Sequence, residues 1–307
     1  LRRSGGVPEE ELMRLSGEIM RSCGSTLTGV VAAVDIAMRR GATGEAASHF
    51  TAYCREHSDE LEPLAVELRT LAAEDAERWR FLASLLDGMA AGEELSRPLR
   101  LVRAEAHLWI GDVERAVFEF DQLMMLDAAL RRSIIDLYRR AIERASGSAT
   151  LHVALYHLCL DEEAFADAAQ HLCRTLELDP SQIRDVMQKF DKLVERDPGN
   201  TAIWETMLAG TLAMHRTNLA KDILKRAVAA LPPSAAAALH LHGARIATAE
   251  GAYDESLRCL EIALDADQAD VRGIEAELSS IVERAPREAR AHLLLGRSLP
   301  RRARERE

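Results

Sequence analysis

The segment from Leu176 to Arg196 (Leu-Glu-Leu-Asp-Pro at its start, Leu-Val-Glu-Arg at its end) recurs in degenerate form. One copy runs from Leu126 through Ala-Ile-Glu-Arg144 and another from Leu264 through Ile-Val-Glu-Arg284. The closing arginines, Arg144, Arg196 and Arg284, lie 52 and then 88 residues apart. An internal period of this size narrows the possible folds sharply. Each unit is one supersecondary element that cannot bury its apolar face alone, so a continuous core forms only by stacking neighbours. Stacking leaves a long surface, and the usual work of such a surface is to hold other molecules.

Composition decides what is stacked. Hydrophobic residues make up 48% of the chain but aromatic ones only 4%, and alanine and leucine dominate, which suits helices packed closely through small side chains. The reading is all-α. A formal charge of −11 repels a phosphate backbone, so nucleic acid is disfavoured as a partner. The cysteines Cys23, Cys54, Cys159, Cys173 and Cys259 lack the paired spacings of a zinc site or a disulfide framework, and read as free thiols in a reducing, cytoplasmic compartment. The most apolar run, Leu27 to Met38, carries Asp35 and is too short to span a bilayer.

Along the chain, residues 1–7 read as a flexible leader, and Pro8-Glu9-Glu10-Glu11 as the start of a helix over 8–21 with acids in its first turn. A second helix is expected over 26–39, ended by Gly41 and Gly44. Residues 8–96 form a helical cap and degenerate repeats, 97–299 the main array, and 300–307 a charged tail.

The run from Trp204 to Pro232 resembles the tetratricopeptide repeat (TPR) family, with Trp204, Ala220, Leu224, Ala227 and Pro232 at matching positions. The same register takes in Leu155, Phe165, Ala168, Leu172 and Pro180; Ala104, Gly111, Ala116 and Phe120; and Gly251, Tyr253, Leu260 and Ala263. Four repeats over 97–268 follow. The resemblance implies that Ala116, Ala168 and Ala220 lie where two helices cross closely, while Phe120, Leu172 and Leu224 fill the adjoining hole. A pair of this family takes about 34 residues, so a 52-residue step is one pair plus one extra helix. The expected fold is therefore an α-solenoid of TPR-like pairs, winding as a right-handed superhelix, with single extra helices near 129–145, 181–196 and 269–284. Each extra helix should exchange the layers occupied by first and second helices and interrupt the groove.

By the same resemblance, first-helix positions turn Leu101, Glu105, Trp109, Val153, His157, Asp161, Glu205 and Leu212 toward the groove. Trp109 reads as an exposed peptide anchor. The family's basic clamp for C-terminal carboxylates is not matched, since Glu105, Val153, His157 and Glu205 occupy those positions. Acids along a groove favour a basic or amphipathic helix.

Chemistry is poorly supplied. His152, His157, Cys159, His171 and Cys173 share one helix pair, but five- and two-residue steps do not bring ligands to one helix face, so no metal is expected. In His240-Leu-His242 the imidazoles point about 200° apart around the axis, one packing and one exposed. The acidic runs Asp59 to Glu62 and Asp161 to Glu163 read as helix starts complementing the dipole. No nucleophile elbow, zinc helix or phosphate loop appears, so neither catalytic residues nor a cofactor are expected. The sequence reads as a non-catalytic, bacterial-looking interaction scaffold; the alternative is the regulatory or targeting segment of a larger enzyme.

Overall fold

A computed structural model describes residues 14, 26–73, 75–92, 94–144, 147–266 and 270–304; the leader and the helix expected over 8–21 lie outside the described residues. Short-range signals set the first helix. Thr26 accepts the Gly29 N–H at 3.2 Å to open α1, Leu27–Arg40, and Gly41, at φ +68°, closes it. Side-chain caps recur at Asp75, Ser148 and Asp270, and a left-handed glycine stop at Gly111. The elements that follow are α2 (Thr43–Glu56), α3 (Leu61–Ala72), α4 (Ala76–Ala90), α5 (Arg97–Ile110), α6 (Val113–Leu126), α7 (Arg131–Arg144), α8 (Ala149–Asp161) and α9 (Phe165–Leu178). After them come α10 (Ile183–Arg196), α11 (Thr201–Ala213), α12 (Thr217–Ala230), α13 (Pro233–Ala249), α14 (Tyr253–Asp265), α15 (Val271–Arg284) and α16 (Ala289–Arg304). Among the described residues there is no strand, and two single 3₁₀ turns precede α7 and α10.

The hairpin turns carry the repeat. Gly111, Glu163, His215 and Gly251 all sit at positive φ, spaced by 52, 52 and 36 residues. In each turn the next residue donates its N–H to a carbonyl five back, Asp112 to His107, Ala164 to Cys159, Arg216 to Thr211 and Ala252 to Ala247, all at 2.9 Å. That bond is the six-to-one link of a Schellman stop, and it folds α5 on α6, α8 on α9, α11 on α12 and α13 on α14. Between residues 97 and 284 the helices outside these pairs, α7, α10 and α15, occupy the three expected extra positions. The acidic run Asp161 to Glu163 is corrected by this geometry: Asp161 ends α8 and Glu163 is the left-handed stop, so these acids lie at a helix C-terminus and its turn rather than at a start.

The chain folds as two compact units, residues 1–146 and 147–307. In the first unit α1, α3, α5 and α7 each pack on the next of the set, α2 packs on α4, and α6 closes onto α5. Its core holds Phe50, Tyr53, Leu64, Leu68, Trp79, Leu82, Leu99 and Val102. Ala116 and Phe120 are fully buried where α6 crosses, as the register requires.

In the second unit α9, α11, α13 and α15 form the corresponding series, and α14 packs on α16. Ala168, Leu172 and Ala220 are fully buried, whereas Leu224 is only half-buried. At the fourth equivalent position Ser256 is buried, its hydroxyl 2.9 Å from that of Thr248. Trp204 is buried, donates its indole N–H to the Pro198 carbonyl at 3.3 Å, and stands edge-on to Phe190 of the extra helix α10, with ring centroids 5.4 Å apart. The unpaired helix is thus built into the core, burying Val186, Phe190 and Leu193. Each fully buried side chain of that size contributes roughly 1.5–3 kcal/mol.

The extra helix has a topological effect. The second helix α9 stacks on the first helix α11, and beyond α15 the first helix α16 stacks on the second helix α14. First and second helices change layers at α10 and again at α15.

Candidate partner-binding surface

The eight residues assigned to the groove divide by helix. Leu101, Glu105 and Trp109 lie along α5 in the first unit. Val153, His157 and Asp161 lie along α8, and Glu205 and Leu212 along α11, in the second. Because α11 stacks on α9, α8 and α11 stand in different layers of the second unit.

Their environments also differ. Glu105 is 6% exposed, and Arg69 of α3 donates to its carboxylate at 2.7 Å. Burial raises its pKa while Arg69 and Arg140 pull it down; this carboxylate ties helices together. Trp109 is half-buried against the first unit's core, with the Arg144 guanidinium 4.7 Å above its ring, so it is not the exposed anchor that its position suggests. Leu212 likewise packs against the core. His157 and Asp161 are exposed, and Val153 and Glu205 half-buried. Burial raises the pKa of the Glu205 carboxyl.

Two polar arrangements escaped the sequence. In the first unit, His107, 4% exposed, places Nε2 3.2 Å from Asp87 of α4, and Arg103 donates to Glu119 of α6 at 2.7 Å. Arg103 and His107 are four apart on α5, which signals a shared face, but Asp87 comes from the degenerate repeats and Glu119 is not a motif position of α6. In the second unit, Glu205, His242, Arg245 and Asp270 line one cavity of about 170 Å³ with Ala238, Leu241, Ala263 and Ile274. His242 is 9% exposed and His240 half-buried, which corrects the expectation that one of the pair faces water. Burial, helped by Arg245 and opposed by Asp270, lowers the His242 pKa to about 4.

Of the histidines weighed as ligands, His152 and His171 lie against each other. His152 stands 52 residues before Trp204, is buried, and its Nδ1 lies 3.1 Å from Nδ1 of His171. The pair fills a place that Trp204 and Ile223 fill in the next repeat. Burial lowers the His152 pKa, keeping a neutral ring that can share one proton with its neighbour. Among the described residues no group of three His, Cys, Asp or Glu side chains is placed to hold a metal ion, and no helix is long and apolar enough to cross a membrane.

Helix pairs with left-handed stops, alanines at their crossings and a buried tryptophan make this chain a divergent TPR-like helical repeat, an all-α solenoid with interspersed single helices. No protein-family model matches it, and no curated protein does. Among solved structures it is similar to a tetratricopeptide repeat protein from Parabacteroides merdae ATCC 43184, at 12% identity over 95% of this chain and 98% of that one, with a TM-score of 0.30. It is also similar to a chain of the APC/C hetero-tetramer Cut9-Hcn1, at 12% identity over 95% of this chain and 60% of that one, with a TM-score of 0.25. Likeness at this level says nothing about partner or activity.

Proposed function

We propose that the chain is a non-catalytic protein-interaction scaffold that presents helical-repeat faces to a peptide or protein, with a basic or amphipathic helix as the preferred ligand. The observation that carries this is Glu205, a half-buried carboxylate lining a cavity among helices of the second unit. A carboxylate so placed is poorly solvated, and a cation arriving from a partner offsets that cost. Asp161, at the end of α8, adds an exposed carboxylate. With a net charge of −11, the whole molecule draws cationic partners in.

The test uses two designed amphipathic helices with the same apolar face, one with lysines and one with glutamates on its polar face. Their binding is followed by fluorescence anisotropy. The basic peptide is expected to bind, and to bind at least about tenfold more weakly, a loss of about 1.4 kcal/mol, to a variant carrying Asp161→Lys and Glu205→Lys. Equal binding of the acidic peptide, or binding of neither, overturns the proposal. Glu105→Lys is unsuitable as a probe, because it would set a second cation against Arg69 in a buried site.

A further inference from the structure

The cavity around His242 is built from one face of three helices that stack in turn. Glu205 comes from α11, His242 and Arg245 from α13, and Asp270 and Ile274 from α15, with Ala263 of α14 among the lining residues. At about 170 Å³ it is smaller than the roughly 300–1,000 Å³ of a cofactor or drug-like site, and suits a single side chain.

Its polar groups are incompletely satisfied. His242 is more than nine-tenths buried, and its Nδ1 has no hydrogen-bond partner among the described residues. A buried ring nitrogen left unpaired is costly, and it marks this part of the lining as polar but unsatisfied. Asp270 caps α15 through Oδ1, which accepts the Gly273 N–H at 2.9 Å, and this leaves Oδ2 for another donor. A Cβ on Gly273 would come 2.2 Å from that Oδ2 and 2.9 Å from Leu241, so the bare glycine gives the carboxylate its room. With the imidazole neutral, the lining carries two carboxylates and one guanidinium, a net charge of −1. The missing charge is one cation.

We propose that this cavity receives the cationic head of a lysine or arginine side chain, held by the carboxylates of Glu205 and Asp270 beside the His242 ring. This rests on the scaffold reading above and gives the acidic face a specific seat. Arg245 keeps the head on the carboxylate side of the cavity by repulsion.

The test titrates the full chain with N-acetyl-lysine amide and N-acetyl-arginine amide, following the imidazole nitrogens of His242 by NMR, with N-acetyl-glutamine amide and acetate as uncharged and anionic controls. The basic amides should shift the His242 Nδ1 resonance, and the controls should leave it in place. Glu205→Gln, which keeps the side chain's size, should weaken the titration at least about tenfold. Asp270→Asn, which retains a competent cap, should weaken it as well. Gly273→Ala, which crowds Asp270, should act in the same direction. An unchanged titration in Glu205→Gln overturns the proposal, as does an equal response to glutamine amide or acetate, or no response to either basic amide. If the basic helical peptide binds while His242 stays silent, this seat is wrong and the scaffold stands. If the amides shift His242 while the peptide fails to bind, the seat stands and the scaffold falls.

Discussion

At the scale of single residues, burial decides what the polar side chains can do. An unfolded imidazole titrates near 6.5, and that of His242 is lowered to about 4 in the fold. Between those values the unfolded chain takes up a proton that the folded chain refuses. Stability held above pH 6.5 is therefore lost as pH falls toward 4, by about 2 kcal/mol between pH 7 and pH 5. Urea unfolding at the two pH values checks this, and in His242→Gln that share of the loss should vanish. Gly210 makes a second case: an added Cβ would come 2.6 Å from the Cys173 sulfur across the α9–α11 crossing. Gly210→Ala should therefore cost about 1–3 kcal/mol, read as a lower urea midpoint at unchanged slope. Neither site was legible in the sequence. Positions two apart on a helix do point away from each other, but α13 is covered on more than one side, by α11, α12, α14 and α15, so His240 and His242 both lose water. Glu105 misled similarly, because its partner Arg69 belongs to the degenerate repeats, where no register marks it.

At the scale of elements much more was legible. The recurring arginines located α7, α10 and α15, and the alanine spacing located the crossings, because both are set by local geometry repeated at fixed intervals. The left-handed stops were harder to see: Gly111 and Gly251 signal a turn, whereas Glu163 and His215 adopt the same conformation without the residue that favours it. Glycine at position 215 removes a steric cost of about 1–2 kcal/mol, offset in part by the freer unfolded chain. The odd helices are structural members rather than decoration. Phe190→Ala on α10 empties the space beside Trp204 and should cost about 3–5 kcal/mol. A loss below about 1 kcal/mol in equilibrium unfolding would show that α10 rests on the core without contributing to it.

At the scale of the whole molecule, the groove was the least legible feature. A register assigns each residue a direction relative to its own helix pair, whereas the layer that the pair's first helix occupies depends on how many helices precede it, and each odd helix changes that count. The division near residue 146 implies that disturbance stays local, since stacked repeats feel mainly their neighbours. Phe120→Ala should accelerate amide exchange mostly within residues 26–144, and Trp204→Ala mostly within 147–304; hydrogen exchange resolved by peptide distinguishes the two patterns. The alternation at α10 and α15 also behaves as a parity rule. Adding or deleting a whole hairpin leaves every downstream helix on its original side, whereas adding or deleting one helix turns the rest of the stack inside out with respect to a ligand. Chains of this design can therefore change length freely in even steps, and each odd step hands a different set of side chains to whatever lies along the surface.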